Sequence, residues 1–569
     1  MKKLRISPRA IITGSIIIAS VAYSAFYFNY FETPTGDYMG NIRVRVLDYM
    51  AGNFPGTNYK FLPLYPLILT LLTPLNPVQS ADTIYLTAIA LNLALFLPYI
   101  LLARAMFRRF LSEYAALWAL LFLGLNIYTV YMATNSELEM LLSLLIILSL
   151  YLALKGSRLS YATAFLAALT KWDAVFIIPA VMFRDFFYKK KRLLAITLGT
   201  AATAGIAAWL VLSFINSPGH AHPYVSEIAH RGPNIYRYPI DCYLVTTSFV
   251  QWMATHAWFA ESPTVKISLF AALIVPAALA LTGILWGVVL AWRRSRREFA
   301  PIFVFLAGFI LIHLVYQNTK DRYVMPILWI LVLFMFYGLS EGIAPRARKL
   351  VASMGRLPRA LLLALASAVT AAGYGASIFA LSRELTPAHL IFVFVFTGLA
   401  AALILYGTGS TPVAHRALFL LFSALIINLM VFYGARTLDH HGLSRVEFKK
   451  AALWYRDHAV PGDRMLISET NVPVYYSGFG EDKYLISYRV KGNTIDEIIP
   501  ELAKMGVTYV FVDDFYIRRL AIKDPNAIDR KAWIFMEIRN KGEKTGRFRL
   551  IKTFHTKGGI TSYLYRFVP

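Results

Sequence analysis

The residues able to do chemistry in this chain come in short clusters beside apolar runs. Gly36-Asp37 opens a segment in which Tyr38, Ile42, Val46 and Met50 recur at helical spacing, with Asn41, Arg43, Arg45 and Asp48 between them. That pattern predicts a short amphipathic helix lying on a membrane surface, with Asp37 at its start. An aspartate at that position can cap the helix by accepting a backbone N–H, which holds its carboxylate ionised. Further on, Asn58-Tyr59-Lys60-Phe61-Leu62-Pro63-Leu64-Tyr65-Pro66 sets a lysine ahead of an apolar, proline-rich stretch. Lys60 is placed either to meet a lipid phosphate at the interface or to snorkel toward it.

Asn135-Ser136-Glu137 opens another apolar run, and Glu139 follows two residues later. On a helix the two glutamates point roughly 200° apart, so one of them, Glu137, is expected to face a cavity. A carboxylate within the bilayer costs roughly 2.5–3.5 kcal/mol. Near a helix start the positive end of the macrodipole offsets part of that cost. Lys171-Trp172-Asp173 separates two apolar runs, 161–170 and 174–183, each too short to cross a bilayer alone. Such pieces suit short helices bordering a cavity. Between 215 and 264, Arg231, Tyr236, Arg237 and Tyr238 mix cations with aromatic rings. Sugar or phosphate binding needs that mixture, and an interfacial aromatic belt also supplies it. His220, His222 and His230, with Glu227, are potential metal ligands, but their spacing matches no tight ligand motif, and the sequence assigns no metal and no cofactor. Cys242 is the single cysteine, so neither an intramolecular disulfide nor a thiolate cluster can form.

The elements that must position these groups are membrane helices. Of 569 residues, 57% are hydrophobic and 16% charged, against about 45–50% and about 25% in soluble domains. Several soluble domains and a disordered chain are both excluded. The net charge of +25 sits in short basic clusters between apolar runs, which points to membrane lipid rather than nucleic acid. Runs of spanning length cover 10–31, 83–103, 114–132, 138–154, 193–214, 265–292, 299–316, 323–339, 360–381, 390–406 and 417–433. The stretch 62–75 holds three prolines and is expected to lie partly in the interface. Basic clusters at 104–109, 184–192, 293–297 and 346–349 mark the cytoplasmic side. This places the N-terminus inside and the loops 32–82 and 215–264 outside. If 161–183 goes out and back, about 13 helices cross the bilayer and the C-terminus ends outside. From residue 438 the composition turns soluble. Strand-like runs at 464–467, 509–512 and 562–568 and an amphipathic helix over 496–505 predict a C-terminal α/β domain at 438–569, after a transmembrane domain at 1–437.

In order and spacing, these motifs resemble the GT-C superfamily of integral-membrane glycosyltransferases, and within it the protein O-mannosyltransferases and lipid A aminoarabinose transferases. The resemblance covers nearly the whole chain. It rests on Gly36-Asp37 after the first helix, the Lys60–Pro66 stretch and the acidic start at Asn135-Ser136-Glu137. It rests also on the basic-x-acidic turn at Lys171-Trp172-Asp173, on His313, and on Asp321-Arg322-Tyr323-Val324-Met325-Pro326. The resemblance implies a GT-C-like bundle in the plasma membrane with an external α/β domain. It implies an enzyme that takes a sugar from a polyprenyl-phosphate carrier and transfers it with inversion to a lipid, glycan or protein acceptor outside. Asp37 would be the general base or orient the acceptor. Lys60, Lys171 and Arg322 would bind the lipid phosphate, and Glu137, Asp173, Arg231 and Tyr323 would line the substrate site. Two departures leave the acceptor open: Tyr38 follows Asp37 where many relatives carry a second acid, and Lys60-Phe61-Leu62-Pro63 stands where many have lysine-proline-proline.

The physical demands of that chemistry fit these residue types. A hydroxyl nucleophile gains roughly 10²–10⁴-fold from a positioned base, and fixed cations lower the barrier to a departing phosphate. A different class, a transporter or flippase of lipid-linked glycans, would show repeated halves and broken helices around a midplane site. No internal repeat is visible here, and the candidate groups gather toward one face.

Overall fold

The computed structural model describes residues 7–28, 33–54, 62–77, 82–215, 235–250, 263–315, 321–381, 386–407, 413–442, 445–513, 517, 530–555 and 561–569. The chain divides into two compact units, one of Met1–Asn29 with Arg45–Thr437, the other of Tyr30–Val44 with Leu438–Pro569. The first unit is helical. Among the described residues eight helices are long and apolar enough to cross a membrane, or nine if one bent pair counts as a span. The expectation of about 13 crossings rests on counting every long apolar run separately. In the structure 265–292 and 299–315 lie within Pro263–Val315 as two helices that meet at a kink at Ser295, so these two runs remain distinct. The run 138–154 becomes Glu139–Lys155, which at 17 residues is shorter than the other spans.

Local chemistry explains the helix boundaries. Ser7 caps Pro8–Phe26 by accepting from the Ala10 N–H, and proline takes the first helical position, where no N–H is needed. Thr83–Phe110 ends on Arg108 and Arg109, cations that suit the negative end of the helix dipole. The corner after it is tied by Glu113, which takes Arg104 at 2.7 Å and Arg108 at 2.8 Å. The run 114–132 bends by 56° between Glu113–Leu125 and Ile127–Thr134. The cause is Asn126, whose side-chain oxygen accepts from the Tyr128 N–H while its amide donates to the carbonyls of Val245 and Thr246. Two long helices approach through glycine: a Cβ on Gly287 would strike the Phe334 carbonyl, and one on Gly338 would strike that of Gly283. Small residues four apart allow such close packing of membrane helices.

The second unit holds the α/β domain. Its sheet runs β2-β1-β3-β5-β4, where β1 is Met465–Ile467, β2 Tyr484–Ile486, β3 Tyr509–Val512, β4 Phe548–His555 and β5 Thr561–Phe567. β1 pairs in parallel with β2 and β3, and β5 pairs antiparallel with β3 and β4. The helix Ile495–Lys504 sets Ile495, Ile498 and Leu502 into the same core as Leu466, Val510 and Val512. It ends in a Schellman turn in which Gly506 at φ +67° bonds back to Ala503 and Val507 to Leu502. The strands and helix read from the sequence are all present. Asp513, directly after β3, is buried and accepts from the Ser468 hydroxyl at 2.7 Å.

Candidate active site

The helical unit gathers charged residues from distant parts of the chain into one buried cluster. Its first piece is the turn between Ile127–Thr134 and Glu139–Lys155. Asn92, buried on Thr83–Phe110, donates to the carbonyls of Asn135 at 2.5 Å and Glu137 at 2.7 Å. Asn135 Oδ1 accepts from the Glu137 N–H, and the Tyr65 hydroxyl donates to the Ser136 carbonyl. Polar side chains from two neighbouring helices thus fix a turn that would otherwise carry unpaired backbone groups in an apolar bundle.

Both glutamates join the cluster, which corrects the expectation that only one would. That expectation treated 137 and 139 as one helix, whereas Glu137 lies in the preceding turn and the helix starts at Glu139. Glu137 Oε1 is 3.3 Å from Arg322 Nη1, and Glu139 Oε1 is 3.7 Å from Lys171 Nζ. Lys171 also reaches Asp173 Oδ2 at 3.3 Å. Lys171 and Asp173 lie between the short helices Leu159–Ala168 and Ile177–Phe183, a break that frees backbone and side chains to turn inward. The Tyr323 ring takes the Lys171 ammonium 4.5 Å from its centroid and the Arg322 guanidinium at 5.2 Å, both cation–π contacts.

His313 completes the cluster. Its Nε2 is 3.5 Å from Asp173 Oδ2 and its Nδ1 is 2.7 Å from the Phe309 carbonyl. A carbonyl can only accept, so Nδ1 carries a proton. The Tyr238 ring stacks on the imidazole at 4.6 Å and 13°, and its hydroxyl donates to the Tyr323 carbonyl at 3.1 Å. Glu137, Glu139, Asp173 and His313 are each 6% exposed or less. One oxygen of each carboxylate, Glu137 Oε2, Glu139 Oε2 and Asp173 Oδ1, is buried without a hydrogen-bond partner among the described residues. The cluster therefore offers three acceptors next to a lysine and an arginine, the combination that sugar hydroxyls and a phosphate require.

Sequence reasoning selected Glu137, Lys171, Asp173, Arg322 and Tyr323, and the structure brings these five together. Glu139 joins them without a sequence signal for it, Tyr238 comes from the cation–aromatic stretch 231–238, and His313 is reached in sequence only through the family likeness. Asp37 belongs to the other unit. It precedes the turn Tyr38–Ile42 in helical conformation and its side chain makes no capping bond. That role falls to Thr35, whose hydroxyl oxygen accepts from the Tyr38 N–H at 3.2 Å. Lys60, Arg231 and the histidines at 220, 222 and 230 lie outside the described residues. Among the described residues no group of three or more His, Cys, Asp or Glu is arranged to hold a metal ion.

No protein-family model and no curated protein matches the chain. Solved structures do. ArnT from Cupriavidus metallidurans bound to undecaprenyl phosphate aligns with a TM-score of 0.50 at 13% identity, over 98% of this chain and 98% of that one. The Archaeoglobus fulgidus oligosaccharyltransferase in the apo form aligns with a TM-score of 0.53 at 13% identity, over 99% of this chain and 74% of that one. This chain shares the fold of these two structures, a polytopic helical membrane bundle with a C-terminal α/β region.

Proposed function

We propose that this chain is a glycosyltransferase that moves a sugar from a polyprenyl-phosphate carrier to an acceptor at the outer face of the cytoplasmic membrane, with inversion at the transferred carbon. The observation that carries the reading is the buried cluster of Glu137, Glu139, Lys171, Asp173 and Arg322, in a fold shared with a protein solved bound to undecaprenyl phosphate. Lys171 and Arg322, with Lys60, take the lipid phosphate and stabilise its charge as it departs. The Lys171 contacts to Glu139 and Asp173, 3.7 and 3.3 Å, are longer than the roughly 2.7–2.9 Å of a tight charge-assisted bond, so at Lys171 an arriving phosphate exchanges with loose partners. Glu137 and Asp173, each with an oxygen that has no hydrogen-bond partner among the described residues, accept hydroxyls of the sugar, with Tyr323 and Arg231 completing its binding site. Asp37 acts as general base or orients the acceptor.

The test is transfer from a panel of radiolabelled polyprenyl-phosphate sugars in membranes, comparing wild type with Asp37→Asn. A labelled product that falls about 100-fold or more in the variant supports the reading. Equal transfer in both removes Asp37 from the chemistry while leaving the enzyme class. No transfer from any donor, with lipid-linked sugar still moved across vesicles, replaces the transferase by a flippase.

A further inference from the structure

The second unit contains, besides the C-terminal domain, the segment Tyr30–Val44 that carries Asp37. Inside that unit the segment is held by residues far later in the chain. Asn471 Nδ2 donates to the Gly36 carbonyl at 3.4 Å, and the Arg43 guanidinium lies 4.7 Å over the Tyr475 ring. Both partners sit on one helix, Asn471–Ser477. A Cβ on Gly36 would stand 3.2 Å from Glu469 Oε1, 3.6 Å from Arg445 Nη2 and 3.7 Å from Asn471 Nδ2. One on Gly40 would stand 3.2–3.3 Å from three atoms of the Asn471 amide. Two glycines four apart therefore form a flat face on which the polar groups of 445–471 rest. The groups beneath are themselves fixed. Arg445 Nε meets Glu469 Oε2 at 2.8 Å, and Arg445 takes φ +67°, a left-handed conformation uncommon for a residue with a side chain.

We propose that Arg445, Glu469 and Asn471 are positioning residues of the transferase: through Gly36 and Gly40 they fix the backbone on either side of Asp37 and so aim its carboxylate. The proposal rests on the reading of Asp37 given above. It assigns the α/β domain a part in the chemical step, beyond any part in recognising an acceptor. An orientation effect of this kind falls on the turnover rate rather than on binding of the lipid-linked donor.

The experiment pairs two readouts on the full chain in proteoliposomes. The first is hydrogen exchange of the Tyr38–Ile42 amides in wild type, Asn471→Ala and Glu469→Gln, with the amides of β3 as internal reference. The second is kcat and KM for the polyprenyl-phosphate sugar donor that supports transfer, with Asp37→Asn alongside. The expected result is exchange at 38–42 faster by about tenfold or more in Asn471→Ala with β3 unchanged, and kcat lower by about 10- to 100-fold at unchanged KM. Gly40→Ala is expected to lose kcat in the same way, because its added methyl group would crowd the Asn471 amide. A variant that is merely misfolded would raise exchange in β3. Unchanged exchange at 38–42 overturns the clasp. Faster exchange with unchanged kcat, where Asp37→Asn abolishes transfer, overturns its role in positioning while the reading of Asp37 stands. Should Asp37→Asn transfer normally, the reading of Asp37 fails and the positioning role falls with it.

Discussion

Lys171 and His313 share a single oxygen of Asp173: Lys171 Nζ lies 3.3 Å and His313 Nε2 3.5 Å from Oδ2, while Oδ1 has no hydrogen-bond partner among the described residues. Removing the charge at 173 leaves Glu139, at 3.7 Å, as the carboxylate facing Lys171. Asp173→Asn therefore leaves Lys171 one carboxylate and removes a charged hydrogen bond, and is expected to lower stability in detergent by about 1.5–3 kcal/mol. In the cycle with Lys171→Met the two losses should depart from additivity by about 1 kcal/mol or more. Thermal unfolding of the four proteins measures it, and strictly additive losses would show that the two residues do not interact.

Arg322 pairs with Glu137 and lies over Tyr323, so its planar fork is used on two sides. Lysine retains the charge but neither the fork nor the stacking face. Arg322→Lys is expected to reduce transfer by about tenfold or more, because it gives up one charge-assisted bond and one cation–π interaction. The reduction should appear in kcat/KM for the lipid-linked donor. An Arg322→Lys variant as active as wild type would take Arg322 out of phosphate binding.

Glycine positions offer an internal comparison of packing. An added Cβ on Gly14 meets nothing within 4 Å, whereas on Gly287 it runs into the backbone of Phe334 and Gly338. In an open helix site alanine is favoured over glycine by roughly 1 kcal/mol. Gly14→Ala should thus leave stability unchanged or slightly higher, while Gly287→Ala should destabilise by about 1–3 kcal/mol through overpacking. Melting temperatures in detergent decide it. Equal shifts in both would mean the close helix approach at 283, 287 and 338 does not hold.

Local patterns made much of this architecture readable. The short runs on either side of Lys171-Trp172-Asp173 announced a broken segment because each was too short to span. The helix Ile495–Lys504 and strand Tyr509–Val512 followed from a change of hydrophobic period across Gly506. What sequence could not supply was register and distance. The angle between Glu137 and Glu139 depended on where the helix began, which Asn92 decides from another helix. The stacking of Tyr238 on His313 joins residues with no local relation. The packing at Gly36 and Gly40 depends on the Asn471 amide, which lies far along the chain. The Asn126 bend had a signal, a lone amide inside an apolar run, whose meaning depends on the carbonyls of Val245 and Thr246.

Glu447, on the helix Val446–His458 of the second unit, supplies a pH-dependent test. It is 0% exposed, and both carboxylate oxygens lack hydrogen-bond partners among the described residues. Burial pushes its pKa up to about 7, with Asp513 and Glu469 adding to the rise and Arg445 opposing it. For an acid whose folded pKa lies above the unfolded value of 4.5, the folded state keeps a proton that the unfolded state has already lost. The associated stability is present in full below about pH 4.5 and is lost as pH rises through about 7, a contribution on the order of 3 kcal/mol. Protection of the Tyr509–Val512 amides, corrected for intrinsic exchange, should accordingly fall between about pH 5 and pH 8 in wild type. In Glu447→Gln, which stays neutral, it should stay level and exceed wild type at the alkaline end of that range. Parallel curves for the two proteins would assign the pH dependence to another group.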